Sequence, residues 1–245
     1  MALNERQNEI LRLLKEQKKV SVSKLAKLFY VSEATVRRDL AEMNGMGLVE
    51  RSHGGALLPE NSEEISIFFR MEKNANEKEK VATKALPHFP PFKSVFIDSS
   101  STTLALAERM DFNFKTVVTN NLQTAIQLSK KPNVTLIMLG GSVQYNTISA
   151  TGSWTARQLD DFRFDLMICS CAAVLDGNTY ERSLDQKEIK RAAFKRCKQK
   201  ILLVDHTKFT AHGTYRLAAL HDYDLVVTDA PPPDGTDIGS VKWSY

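Results

Sequence analysis

The stretch VSEATVRRDL, Val31 to Leu40, followed closely by ERSHGGA, Glu50 to Ala56, decides how the first quarter of this chain folds. Ser32 can begin a helix, because its hydroxyl can accept from the backbone N–H groups of the first turn. Val36 and Leu40 lie four apart and share an inward face, while Thr35, Arg37 and Arg38 are turned away from it. Just upstream, Val22 to Phe29 (VSKLAKLF) reads as another short helix, with Leu25, Leu28 and Phe29 apolar. A tight connection at Tyr30 and Val31 makes the pair a predicted helix-turn-helix, whose second helix enters the DNA major groove. Thr35, Arg37 and Arg38 are residue types that contact bases and phosphates there.

The flanks extend this reading. Asn4 to Gln17 is a preceding amphipathic helix, with Ile10, Leu13 and Leu14 near one stripe. Gly45 and Gly47 end the second short helix. Leu48-Val49-Glu50-Arg51 then reads as a strand running into the turn His53-Gly54-Gly55. Three helices followed by a two-strand hairpin make a winged helix-turn-helix, in which Arg51, Ser52 and His53 can reach the phosphate backbone.

These residues resemble the DeoR family of bacterial transcriptional regulators. That family typically shows L-A-x-x-F-x-V-S-x-x-T-[IV]-R-R-D-L, then G-x-L-x-R-x-H-G-G-A. The chain supplies Leu25, Ala26, Phe29, Val31, Ser32, Thr35, Val36, Arg37, Arg38, Asp39 and Leu40. It continues with Gly47, Arg51, His53, Gly54, Gly55 and Ala56. The match is long and ungapped.

Length and composition agree with two domains. At 245 residues the chain can hold one small and one medium domain, each with its own core. The net charge of +4 is mild, but its distribution is uneven. Residues 1–56 carry 10 Lys and Arg against 7 Asp and Glu, and the rest 23 against 22, so most of the excess sits in the DNA-reading quarter. The start, MALNERQNEIL, has no apolar signal-peptide core, and no apolar run approaches a membrane span, so a cytoplasmic protein is expected. Three cysteines, Cys169, Cys171 and Cys197, fit a reduced protein better than a disulfide framework. Cys169 and Cys171 have no histidine pair at ligand distance in sequence. We read them as packing or site-lining and expect neither metal nor cofactor.

The domain boundaries follow: residues 1–56 a winged helix-turn-helix, residues 57–76 a linker, and residues 77–245 an effector-binding domain. The linker is acidic and polar, punctuated by Pro59, with a short apolar piece at Ile65–Phe69 that docks on a neighbour. Beyond it, strand-like segments alternate with helical patterns. The strands are Val95–Asp98, Thr116–Thr119, Val134–Leu139, Leu166–Ser170, Ile201–Val204 and Leu225–Thr228; the helices include Thr102–Met110, Leu122–Lys130 and Lys187–Lys198. Apolar strands separated by helices predict an α/β domain with a mostly parallel sheet covered on both faces. In such sheets ligands bind outside the carboxyl ends of the strands.

Four loops at those ends stand out. Asp98 is followed by Ser99-Ser100-Ser101-Thr102-Thr103, five hydroxyl residues opening a helix. One serine suffices for a cap; five tilt the reading towards a phosphate or carboxylate held at the helix start. Thr119-Asn120-Asn121 ends the next strand. Gly140-Gly141 ends the third, allowing close approach to a ligand or simply a tight turn. Lys208, in Asp205-His206-Thr207-Lys208-Phe209, can neutralise an anion as a point charge or stand as a surface lysine.

Together these loops resemble the effector domain of the same family, which is similar in fold to ribose-5-phosphate isomerase. The family landmarks match Glu77, Lys78, Val81 and Ala82; Asp98, Ser100, Ser101 and Thr102; Thr119, Asn120 and Asn121; Gly140 and Gly141; and Asp205, Thr207, Lys208 and Phe209. The resemblance implies a transcriptional regulator, a repressor of a carbohydrate-utilisation operon controlled by a phosphorylated sugar or related metabolite. Its partners are then operator DNA, the metabolite and further copies of the chain, with no membrane. The DNA-binding residues are Ser32, Thr35, Arg37, Arg38, Arg51 and His53. The effector-binding residues are Asp98, Ser99, Ser100, Ser101, Thr102, Thr119, Asn120, Asn121, Gly140, Gly141 and Lys208. The chain departs from the family at Tyr30, where many helix-turn-helix units have glycine. It departs again at Ser170-Cys171-Ala172-Ala173, in place of a glycine-rich loop, and at Gln186, in place of an acid. Lys190 and Arg191 can reach the ligand from their helix, but a helix surface carrying Lys187, Lys190, Arg191 and Lys198 reads more simply as solvated. The alternative is a sugar-phosphate isomerase-like enzyme with an appended DNA-binding module, using Asp98, Asp205 and Lys208 for acid–base work. No second acid–base pair is evident from spacing, fold likeness does not transfer activity, and we assign no catalytic residue.

Overall fold

A computed structural model describes residues 3–57, 66–237 and 241–245, which fall into two compact units, Met1–Glu72 and Lys73–Tyr245.

The first unit opens with α1 (Glu5–Gln17), which Asn4 and Gln7 cap reciprocally, side chain to backbone. After it come β1 (Lys19–Ser21), α2 (Val22–Phe29), α3 (Glu33–Gly45), β2 (Glu50–Ser52) and β3 (Gly55–Leu57). The inward stripe of α1 (Ile10, Leu13, Leu14), with Leu25 of α2 and Val36, Leu40 and Met43 of α3, forms one buried core. Leu28 lies outside it and is about half exposed. The wing is a three-stranded sheet in the order β1-β3-β2 rather than a two-strand hairpin. The added strand, β1, has three residues and is too short to show alternation in the sequence. Gly55 explains how β1 fits: a Cβ there would lie 2.3 Å from the Val20 carbonyl oxygen.

Of the stretch read as a linker, Leu57 closes β3 and residues 58–65, including Pro59 and Ile65, lie outside the described residues. Ile67–Glu72 form a helix, α4, and its Phe69 is buried in the core of the first unit. The apolar piece packs, as its two buried side chains Ile67 and Phe69 require.

In the second unit, α5 (Ala75–Ala85) leads to β4 (Ser94–Ile97), α6 (Ser101–Arg109), β5 (Thr116–Thr119), α7 (Leu122–Leu128) and β6 (Thr135–Met138). Next come β7 (Ser142–Gln144), β8 (Ser149–Thr151), α8 (Ser153–Gln158), β9 (Phe164–Cys169), β10 (Ala173–Leu175) and β11 (Asn178–Glu181). The unit closes with α9 (Leu184–Phe194), β12 (Cys197–Leu203), β13 (Tyr215–Ala219), β14 (Leu225–Val227) and β15 (Lys242–Ser244). Seven of these strands pair in the order β15-β14-β12-β9-β4-β5-β6, every neighbour parallel. Apolar layers cover both faces: Phe96, Met167 and Leu202 point into one, Val95, Ile97 and Ile168 into the other. Antiparallel β10-β11-β13 and the β7–β8 hairpin stand apart from this sheet.

The chain runs outwards from β4 through β5 to β6, then returns to lay β9 on β4's other side. That reversal makes the carboxyl ends of β4 and β9 the topological switch point, where open parallel sheets form a crevice. The helix expected over Lys187–Lys198 begins earlier and stops at Phe194. Cys197 instead opens β12, paired with Phe164 of β9. Among the described residues, no helix is long and apolar enough to cross a membrane.

Candidate functional site

Two surfaces carry the chemistry, one in each unit. On the first, the Ser32 hydroxyl accepts from the Thr35 N–H at 3.1 Å and lies 2.9 Å from the Thr35 hydroxyl, which fixes the start of α3. Arg37 and Arg38 are exposed, and Arg37 reaches back to Glu33 at 2.6 Å. Such an exposed pair contributes little stability and leaves the guanidinium available. The buried Asp39 does the opposite job: Arg6 of α1 donates to both its oxygens, at 2.5 and 3.1 Å. This fork locks α3 against α1. Asn44 accepts from the Arg51 N–H at 3.2 Å, tying the wing to the end of the same helix, and both Arg51 and His53 are exposed.

The second surface is the switch point. Asp98 follows β4 and is fully buried. Its Oδ1 accepts from the Ser100 N–H at 3.1 Å and the Thr103 hydroxyl at 2.7 Å; its Oδ2 accepts from the Ser170 N–H at 3.0 Å, across the β4–β9 crevice. Lys190 of α9 places Nζ 2.9 Å from Asp98 and 2.7 Å from Glu181, and donates to the Ser170 carbonyl at 2.8 Å. Burial alone would push the Asp98 carboxyl up, but Lys190, Ser170 and Thr103 outweigh it and hold the group below its ordinary value. Burial would likewise lower Lys190, and its two carboxylate partners hold it above instead. Asp98 and Lys190 both stay charged. The reading of Lys190 as solvated is therefore corrected: it is 4% exposed, whereas Arg191 and Lys198 do face solvent. The reason is its position on α9, one turn beyond Gln186, on the face that meets the switch point.

Gln186 is the other residue whose part the sequence concealed. Its Oε1 accepts from the Ser99 hydroxyl at 2.6 Å, and its Nε2 donates to Ser149 at 2.8 Å and Thr147 at 3.2 Å. The amide so joins the Asp98 loop to the β7–β8 hairpin. An acid could not make the two donations. That dual requirement is the signal a glutamine in place of an acid carries.

Ser100 caps α6 by accepting from the Thr103 N–H at 3.2 Å, and its carbonyl takes the Leu104 N–H. The N–H groups of Ser101 and Thr102 have no acceptor within the helix and lie at its positive end. Thr119 accepts from the Asn121 N–H, and Asn121 caps α7 through Thr124 while donating to the Thr147 carbonyl. Asn120 donates to the Ala150 carbonyl at 3.0 Å. Ser99, through Gln186, and Asn120 and Asn121 directly are thus linked through the same hairpin. Gly140 is held instead by α8: its N–H donates to Gln158, and its carbonyl accepts from Thr155 and Gln158. A Cβ on Gly141 (φ +145°) would lie 2.0 Å from the Thr155 hydroxyl. A close approach by Thr155, within the protein, accounts for that glycine.

Lys208 sits in the loop after β12, within a short turn that Asp205 caps. Burial pushes the Cys171 thiol up to about 12, and the Lys208 charge is among the influences opposing this. Cys169, Cys171 and Cys197 are all buried and free. Two buried acceptors near these loops, Asn120 Oδ1 and Asp205 Oδ2, have no hydrogen-bond partner among the described residues.

Comparison with known proteins covers both surfaces. Residues 6–62 match the family model of the DeoR-like helix-turn-helix domain, and residues 73–230 that of the DeoR C-terminal sensor domain. The chain is 33% identical to the transcriptional regulator GolR of Listeria innocua over 92% of this chain and 90% of that protein. It is 33% identical to the glycerol-3-phosphate regulon repressor of Escherichia coli over 95% and 93% of the two chains. A solved D-ribose-5-phosphate isomerase in complex with phospho-erythronic acid matches 55% of this chain and 54% of its own, at 15% identity and a TM-score of 0.40.

Proposed function

Since the chain belongs to the DeoR family of helix-turn-helix transcriptional regulators, we propose that it represses a carbohydrate-utilisation operon and is released from its operator by a phosphorylated sugar or related metabolite. The observation that carries the DNA half is α3: a helix fixed from behind by Asp39 and Arg6, capped by Ser32, with Arg37 and Arg38 outward. Thr35, Arg37 and Arg38 read base edges and phosphates, Ser32 sits where the helix meets the backbone, and Arg51 and His53 of the wing hold phosphates beside the groove. The working form is a homo-oligomer, because two-fold proteins read paired half-sites roughly 34–36 Å apart or at multiples of that spacing.

Support for the effector half is the hydroxyl-rich, buried start of α6. The N–H groups of Ser101 and Thr102 suit the anionic end of a ligand, with Lys208 as a countercharge. Asn120 Oδ1 and Asp205 Oδ2 are acceptors suited to sugar hydroxyls. Asp98 and Ser99 shape the loop, Thr119, Asn121, Gly140 and Gly141 its far wall. The names of relatives agree in kind: one represses the regulon of a phosphorylated polyol. The isomerase reading is weaker on physical grounds. A group that shuttles protons needs a pKa near working pH, and Asp98 is held low by Lys190, itself held high.

The test of the DNA half is a fluorescence-anisotropy titration of wild type and the Arg37→Ala/Arg38→Ala variant at several salt concentrations. Removing a bidentate bond to guanine should cost about 1–3 kcal/mol on the operator. Removing a phosphate partner should weaken all sequences alike and reduce the salt slope by about one. Unchanged affinity in the folded double variant would remove α3 as the reading element.

A further inference from the structure

Tyr30 ends α2 in the left-handed region, at φ 54° and ψ 41°, with its N–H donating to the Ala26 carbonyl. This is the helix-ending position that glycine fills freely and that a residue with a Cβ enters only at a cost. A bulky side chain there normally recovers the cost by packing. Tyr30 does not: it is 95% exposed, and among the described residues its hydroxyl has no hydrogen-bond partner. Nothing among the described residues of the first unit explains a tyrosine at this place.

Its position in the chain does. Tyr30 stands two residues before Ser32, the cap of α3, where the backbone passes from α2 into the outward-facing helix. In a docked helix-turn-helix the first helix crosses the phosphate backbone and the second enters the groove from its N-terminal end. The turn between them lies at the groove's edge, and tyrosine is among the side chains that donate to phosphate oxygens. We propose that Tyr30 is a DNA-contact residue whose phenol donates to an operator phosphate flanking α3, and that the strained turn is retained to present it.

The inference rests on the DNA-binding reading of α3 and makes a claim that reading does not. A neutral hydroxyl displaces no condensed counterion, so its removal should lower affinity without changing the salt slope, unlike removal of an arginine. Phosphate contacts carry no sequence information, so operator and other DNA should weaken together. Glycine at position 30 should relax the turn while abolishing the contact, so that stability and affinity move in opposite directions.

The experiment compares wild type, Tyr30→Phe and Tyr30→Gly by anisotropy from low to moderate salt. The probes are a duplex selected from a random pool by the wild-type protein and a non-selected duplex of equal length and composition. Thermal denaturation runs alongside. Expected are a loss of roughly twofold to tenfold per half-site for Tyr30→Phe on both duplexes with an unchanged salt slope, and for Tyr30→Gly at least the same loss with a raised melting temperature. Wild-type affinity in both variants would overturn the contact, and a lowered melting temperature in Tyr30→Gly would overturn the strain argument. If the wild type itself bound neither duplex, the DNA-binding reading would fail, and this proposal with it.

Discussion

Lys190 commits three buried charges to one arrangement, with Asp98 and Glu181 as its partners and the Ser170 carbonyl completing its donors. Replacing it by methionine keeps the volume and leaves two buried carboxylates facing one another. Breaking such a pair from one side costs about 3–5 kcal/mol, so Lys190→Met should be severely destabilised at pH 7. The pH dependence has a definite sign. Asp98 is held below its ordinary value in the wild type, so its contribution is present above that ordinary value, near 3.8, and is lost as pH falls through the lower folded value. In the variant the carboxyls lose their cation, and protonation on acidification relieves them. Urea denaturation at pH 7 and again near pH 4.5 should therefore show the difference shrinking towards acid; a constant difference would show that the ion triad is not its source. Lys190 is not legible in the sequence, because a lysine among Lys187, Arg191 and Lys198 looks solvated until the fold turns one of them inward. Ser32 is legible, because capping is a local matter between neighbours in sequence.

Elements divide along the same line. The buried strands β4, β5, β9, β12 and β14 can be read because parallel strands covered on both faces are continuous apolar runs, and the edge strand β6, only partly buried, is still apolar enough to be read with them. The β7–β8 hairpin cannot, since Ser142, Val143 and Gln144 of β7 are all exposed and carry no period. Yet that hairpin holds the site together, through Gln186, Asn120 and Asn121. The helix expected over 187–198 overruns its true end because Cys197 and Lys198 continue its pattern of apolar and charged residues while already lying in β12, where Cys197 pairs with Phe164. Gly140 and Gly141 stand out in the sequence, but their cause is the packing of α8 on the loop. Gly141→Ala should cost about 1–3 kcal/mol through overpacking alone, with the backbone conformation adding to it. Removing the Thr155 hydroxyl and methyl opens that contact, so Gly141→Ala/Thr155→Ala should cost less than the sum of the single changes. Additive costs in a denaturation cycle would place the strain in the backbone alone.

At the scale of the whole molecule, two compact units each match one half of a single family's pattern. A regulator built this way works only if the ligand distinguishes two states, since a metabolite with equal affinity for both shifts nothing. Typical coupling is about 1–3 kcal/mol, or roughly 5–150-fold. Linkage makes it reciprocal: operator DNA must weaken metabolite binding by the factor with which the metabolite weakens operator binding. The most direct measurement is the operator affinity of the full chain with and without each of a panel of sugar phosphates, paired with calorimetry of the same compounds in the presence and absence of operator. The expected result is that one of them lowers operator affinity by a factor matched in the calorimetric arm, and that Lys208→Ala with Ser101→Ala, which removes the countercharge and one hydroxyl but leaves the helix-start N–H groups, weakens both effects. A metabolite that acts equally well on that variant would put the effector site elsewhere in the fold, and an operator affinity indifferent to every sugar phosphate would contradict the account.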